Sequence, residues 1–154
     1  MIGFDQLPEH LPHGQEMIFL DLVDSIDEEQ QEIVARQLVS GRLPELRSHF
    51  PGNSSYPATY TLQAFLQAAL ILERVTCMRP PGVDRSLVIG TRMRVFSQVG
   101  PGEVLIHTAQ CNEWRGNLVR ISGSVRSGDR LVMRAEIRLA QVTDREWHLD
   151  RQVR

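Results

Sequence analysis

Two side chains in this 154-residue chain are of the type and spacing to do chemistry together, His49 and Gln63. Both lie in the stretch SHFPGNSSYPATYTLQAFLQAALILERV, residues 48–75. An imidazole titrates near neutrality and suits the work of a general base. Gln63 falls early in the apolar run that follows. Its amide can donate or accept a hydrogen bond but cannot deliver a proton near neutral pH. The other histidines, His10, His13, His107 and His148, have no metal-ligand spacing among themselves, and His13 in LPH reads as a packing or capping residue. Tyr56 and Tyr60 flank the same segment, but a phenol with a pKa of about 10 is a poor match to proton donation. All 17 basic residues are Arg, which excludes Schiff-base chemistry on lysine.

The element that must position these groups is a long helix. Leu43 to Pro57 holds three prolines and one glycine, a density that excludes a regular element and marks an ordered loop. Pro57 suits the first helical residue, because its missing N–H is not needed there and its φ is preset. The helix is expected to run to about Cys77, ahead of the stop RPPG. Its apolar residues, Leu62, Phe65, Leu66, Ala69, Leu70, Ile71, Leu72 and Val75, lie almost all round it, so it must be buried. Glu73 lies about 15 Å along the axis from Gln63, too far to stand in for it.

The rest of the chain reads as strands: Met17 to Val23, Glu32 to Val39, Ser86 to Phe96, Val104 to Glu113, Leu118 to Arg126 and Leu131 to Val142, with turns at VGPGE, EWRGN and RSGD. Alternation is clearest in the last, where Leu131, Met133, Ala135, Ile137 and Leu139 face one way and Arg134, Glu136 and Arg138 the other. One apolar helix and about six strands imply an α+β fold, an antiparallel sheet curled round the helix, in a single domain spanning residues 1–154. In the tail, Trp147 is expected to pack on the sheet edge.

Composition narrows the function classes. The longest apolar run, Leu62 to Leu72, is too short to span a bilayer, and no basic-then-apolar leader is visible, so a cytoplasmic protein is expected. Cys77 and Cys111 lack zinc or redox spacing, so reduced thiols are expected and metal is not. The net charge of −2 argues against a general nucleic-acid binder. It conceals a polarity: residues 1–78 carry 4 Arg and 11 acids, residues 79–154 carry 13 Arg and 8 acids. The Arg-rich half could dock an acidic partner or simply form solvated strand faces.

Several motifs together resemble one family. LPH is followed eight residues later by Asp21, HFPG occupies 49–52, Pro57 opens the helix, and a QA pair with Gln67 stands where the family has EA and Gln. VFSQVGPGE resembles the family's Phe-rich strand and Pro-Gly turn. The sequence is thereby similar to the hot-dog-fold 3-hydroxyacyl-acyl carrier protein dehydratases of the FabA/FabZ type. The resemblance implies a hot-dog dimer with two composite sites, substrates carried on the phosphopantetheine arm of acyl carrier protein, and no other cofactor. It assigns the base that removes the α-proton of a 3-hydroxyacyl thioester to His49. It assigns the thioester-polarising amide to Ala58, where the family has Gly, with Phe50, Gly52, Pro57 and Gln67 around the substrate; for Gln67 a structural role bonding backbone near the His loop is the stronger reading. The helix carboxylate, which in the family comes from the other subunit, falls on Gln63.

That departure leaves three mechanisms open. The chain could dehydrate 3-hydroxyacyl thioesters in fatty-acid-like or polyketide-like synthesis, with water or a tyrosine as proton donor. It could move an enoyl double bond using His49 alone, since isomerisation expels no hydroxide. Or it could be a partner subunit without independent activity, whose His49 meets a carboxylate from a related chain, so that the dimer is a heterodimer. A thioesterase on the same fold is disfavoured by HFPG and the missing carboxylate.

Overall fold

Six strands, β1 (Leu22–Asp27), β2 (Glu32–Leu38), β3 (Val83–Val95), β4 (Val104–Arg115), β5 (Leu118–Ser127) and β6 (Arg130–Thr143), form one antiparallel sheet in the order β1-β2-β4-β5-β6-β3. The computed structural model describes residues 1–44, 46, 49, 51–76 and 83–143, with backbone alone at 83 and 84. Phe50, Cys77, the RPPG stop, Trp147 and His148 lie outside the described residues.

Side-chain alternation decides which face of the sheet is core. Met133, Ala135, Ile137 and Leu139 of β6 are buried and Arg134 and Arg138 exposed, the period-two pattern expected. Leu105 and Ala109 of β4 and Val119, Ile121 and Val125 of β5 extend the same apolar face. Two-residue turns join β4 to β5 and β5 to β6; Gly116 and Gly128 adopt φ of 62° and 54° there, which a side chain would resist.

The sheet curls round one long helix. The short helix α1 (Leu7–His10) lies near the N-terminus, and the long helix α2 (Ala58–Thr76) packs chiefly against β4 and β2 while also meeting β3, β5 and β6. Ala64, Phe65, Ala68, Ala69, Ile71 and Leu72 of α2 are fully buried, as its all-round apolar character requires. Two polar residues share that burial. Glu73 accepts hydrogen bonds from Ser86 Oγ (2.9 Å) and Gln141 Nε2, a structural use of a carboxylate that is remote from the start of the helix. Gln67 is discussed with the site.

The first strand departs from expectation. It begins at Leu22, not Met17, and Gln15–Met17 form a 3-10 turn. The reason lies on the helix: Phe19 N–H donates to Gln67 Oε1 (2.8 Å) and Met17 C=O accepts from Gln67 Nε2 (2.6 Å). Backbone groups that a strand would give to a neighbour are taken by one side chain, so residues 17–19 run along α2. No helix among the described residues is long and apolar enough to cross a membrane.

Candidate active site

The loop carrying His49 turns at Pro51–Gly52, where Gly52 adopts φ 85°, a left-handed conformation that favours glycine. Tyr56 N–H donates to Val99 C=O (2.8 Å), which fastens the loop's exit to the VGPGE segment ahead of β4. That segment is fastened in turn: Gly102 N–H donates to Val39 C=O, Val39 N–H to Glu103 C=O, and Gly100 N–H to the Glu103 carboxylate. Burial pushes the Glu103 carboxyl up, but hydrogen bonds from Ser127 and Gly100 and the Arg130 guanidinium outweigh this and hold it below the usual carboxylate range.

His49 is exposed and borders a pocket of about 120 Å³ with Ser55, Tyr56, Ala58, Thr61, Val95, Ser97 and Met133 among its lining residues. Its Nδ1 lies 3.2 Å from Ser55 C=O. A carbonyl oxygen can only accept, so the proton sits on Nδ1 and Nε2 carries the basic lone pair. The ring thus makes the backbone contact of an ordinary loop histidine while keeping the tautomer that a base needs.

Pro57 is buried, and its C=O accepts from Tyr60 and Thr61 N–H (3.0 and 3.4 Å), which makes it the N-cap and Ala58 the first helical residue. The expected helix start is thereby shifted by one residue. The Ala58 N–H has no hydrogen-bond partner among the described residues, as befits the first amide of a helix, and Ala58 borders the His49 pocket. An unspent amide backed by a helix dipole suits developing negative charge.

Gln63 lies elsewhere. Thr61 faces the His49 pocket, and two helical residues turn about 200° round the axis. Gln63 is absent from that lining, and its Nε2 meets His13 Nε2 at 3.4 Å. Burial lowers the pKa of His13, and its Nδ1 is buried without a partner. Gln67, one turn further on, is fully buried with both amide atoms given to Met17 and Phe19 backbone, not to the His49 loop. The two amides therefore hold the 13–19 segment against one side of α2, and His49 occupies another. Within one chain, His49 and Ala58 border one pocket, and neither Pro57 nor Gln63 is among its lining residues.

A buried chain of polar groups beneath the site was not anticipated. His107 Nε2–H donates to Gln37 Oε1 (3.3 Å), and Gln37 Nε2–H donates to the Tyr56 hydroxyl (2.9 Å). Gln37 and His107 stand on the apolar phase of β2 and β4, beside Ile33 and Ala35 and between Leu105 and Ala109. That violation of alternation is the signal by which the sequence could have exposed them. Burial lowers the His107 pKa to about 3, so the ring is neutral, with the Nδ1 lone pair unpartnered in the core. Tyr56 also borders a second cavity, of about 430 Å³, on the side of Phe19 and Tyr60; the Tyr60 ring lies 5.1 Å from that of Phe19 and 5.8 Å from that of Tyr56. No cluster of His, Cys, Asp and Glu that could hold a metal occurs among the described residues.

Comparison with known proteins bears on this arrangement. A family model described as a FabA-like domain matches residues 11–136. The chain is similar to a coronafacic acid dehydratase of Pseudomonas savastanoi pv. glycinea, 32% identical over 121 residues that cover 79% of this chain and 73% of the relative. It is also similar to a 3-hydroxyacyl-[acyl-carrier-protein] dehydratase FabZ of Acidovorax sp. (strain JS42), 29% identical over 136 residues, 86% of this chain and 92% of the relative. Among solved structures, a chain of the dehydratase heterocomplex ApeI:P from Xenorhabdus doucetiae superposes with a TM-score of 0.73 over 93% of this chain and 95% of that one; at 15% identity the likeness is one of fold.

Proposed function

The chain belongs to the FabA/FabZ type of hot-dog-fold dehydratases, and from that footing we propose that it acts on 3-hydroxyacyl or 2-enoyl thioesters of an acyl carrier protein, in fatty-acid-like or polyketide-like synthesis, with His49 as the base. The observation that carries this reading is the His49 Nδ1–H contact to Ser55 C=O, which leaves Nε2 as the basic atom in a loop that borders the Ala58 amide. In the forward direction Nε2 takes the α-proton of the thioester. The negative charge moves to the thioester oxygen, which receives the Ala58 N–H and the positive end of α2. The β-hydroxyl then leaves with a proton, and the α,β double bond forms.

Gln63 cannot supply that proton. In a homodimer, Gln63 of a second copy would hold a water that hands the hydroxyl its proton, with Phe50, Gly52 and Pro57 shaping the channel for the phosphopantetheine arm. The loss of a carboxylic acid costs a factor of about 10² to 10⁴ in rate.

A second reading rests on the missing acid together with its position: an amide stands where a proton donor is needed, and Gln63 lies about 200° round the helix from the residue that faces His49. A complete site then draws its helix side chain from another chain, and a related chain carrying a carboxylate would serve better than a second copy. A dehydratase heterocomplex stands among the structural neighbours, which supports a heterodimer as a workable assembly. The test is turnover of 3-hydroxyacyl and 2-enoyl thioesters by the purified protein, alone and mixed with a dehydratase chain that co-purifies with it, alongside native mass spectrometry. Turnover alone supports the first reading, turnover only in the mixture the second, and thioester hydrolysis in place of either overturns both.

A further inference from the structure

The second cavity, of about 430 Å³, has a composition of its own. It opens between the N-terminal segment, the end of β2 and the start of α2, and Tyr56 is the one described residue that it shares with the His49 pocket. Four aromatic residues border it, Phe4, Phe19, Tyr56 and Tyr60, including both tyrosines of the chain. Three of them form a continuous wall, because the Tyr60 ring is close to those of Phe19 and Tyr56 alike. Polar groups at the floor are turned inward. Gln37 is 2% exposed, and its amide donates to the Tyr56 hydroxyl and accepts from His107. Recognition in this cavity therefore falls chiefly to the rings and to the groups at its mouth.

The charge at the mouth has one sign. Glu16 and Asp21 border the cavity, and among the described residues no Arg or His does, in a chain with 17 Arg. Both acidic residues are exposed, and neither forms an ion pair among the described residues, whereas Asp24, Glu103, Glu113 and Glu136 each have an arginine partner. Asp21 is nevertheless held in place, because its Oδ2 accepts the Leu38 N–H. A carboxylate fixed through one oxygen keeps the other for a partner. Phe4 and Met17 are 43% and 53% exposed beside it, apolar surface that the folded chain leaves uncovered.

Electrostatics selects the ligand class. The face of an aromatic ring is electron-rich and attracts a cation within about 6 Å of its centre. Rings and carboxylates act here in the same direction, so a phosphate or carboxylate is repelled and an organic cation with an apolar body is favoured. We propose that this cavity is a binding site for a small organic cation, a quaternary ammonium or protonated amine, held by the Phe4, Phe19 and Tyr60 rings and the Asp21 and Glu16 carboxylates. Such a ligand is distinct from an acyl thioester, and its binding is independent of what His49 does.

The experiment is titration of the isotope-labelled full-length protein with choline, with its neutral analogue 3,3-dimethylbutan-1-ol, in which carbon replaces the nitrogen, and with benzoate, followed by amide NMR. Choline shifts resonances within residues 16–21, 37–40 and 56–60 and binds about tenfold or more tightly than the alcohol, the difference that one or two cation–ring contacts supply. Asp21→Asn combined with Glu16→Gln keeps an oxygen for the Leu38 N–H, removes both charges and weakens choline about tenfold or more. Phe4→Leu, at an exposed position, weakens it about two- to fivefold. Absence of choline shifts at these residues overturns the proposal, as does choline affinity unchanged in the double variant or in Phe4→Leu. Equal binding of choline and the alcohol also overturns it and leaves a plain apolar pocket, and tighter binding of benzoate reverses the assigned charge. Should the double variant lose its dispersed amide resonances, Phe4→Leu and the comparison with the alcohol decide.

Discussion

Acidification tests the buried chain that runs from His107 through Gln37 to the Tyr56 hydroxyl. In the folded protein burial holds the His107 pKa at about 3, whereas in the unfolded chain it returns to about 6.5. Below pH 6.5 the unfolded state binds a proton that the folded state refuses, so this group's contribution to stability is fully present above pH 6.5 and is lost as pH falls toward 3. At pH 5 the unfolded histidine is almost wholly charged and His107 almost wholly neutral. Linkage over that interval of about 1.5 pH units amounts to about 2 kcal/mol. Replacing His107 with Gln removes the titration and keeps an N–H donor for Gln37. Urea unfolding of wild type and His107→Gln at pH 7 and pH 5 is the assay, since other titrating groups are common to both proteins. The wild type is expected to lose about 2 kcal/mol more than the variant between the two pH values. Equal losses would refute the burial of a neutral imidazole and, with it, the relay that holds Tyr56.

Other consequences follow from the same contacts. Gln67→Leu strands a Phe19 N–H and a Met17 C=O beside α2 and is expected to lower stability by about 2–4 kcal/mol in urea unfolding. Gln63→Glu restores a group that can carry a proton, and in a homodimer dehydration of 3-hydroxyacyl thioesters should rise by about 10²-fold or more; in a chain that works only beside a related subunit, the isolated variant stays inactive and the mixed oligomer turns over. Val88 and Ile89 are 45% and 54% exposed on the edge strand β3; where two copies of the chain pair along that edge, Ile89→Glu is expected to lower the native mass to that of a monomer, as read by native mass spectrometry.

The strands and the helix were legible because each has one strong periodicity. β6 alternates cleanly between Met133, Ala135, Ile137, Leu139 and the arginines, and α2 is apolar on nearly every side with a proline at its cap. Residues 17–19 were read as strand because their apolar content fits one; nothing local shows that Gln67, 48 residues from Phe19, takes their backbone groups. The site was legible in parts. His49 and Ala58 share a pocket as the HFPG loop and Pro57 suggested, whereas the contact of Gln63 with His13 joins residues 50 apart and needs the fold to be seen. Gln37 and His107 were passed over although they interrupt the apolar phase of their strands, because a polar residue there is informative only once both strands and their shared face are known.

The central claim is that His49 is a base poised over the α-carbon of a thioester beside the Ala58 amide. It is tested most directly by proton exchange, which needs no leaving hydroxyl and no acid at position 63. The protein is incubated in D₂O with a saturated acyl thioester of acyl carrier protein, and deuterium at C2 is followed by NMR or mass spectrometry. Exchange catalysed by the wild type and by Gln63→Glu, and reduced to background in a folded His49→Gln variant, is the result predicted. Undiminished exchange in His49→Gln would contradict the account.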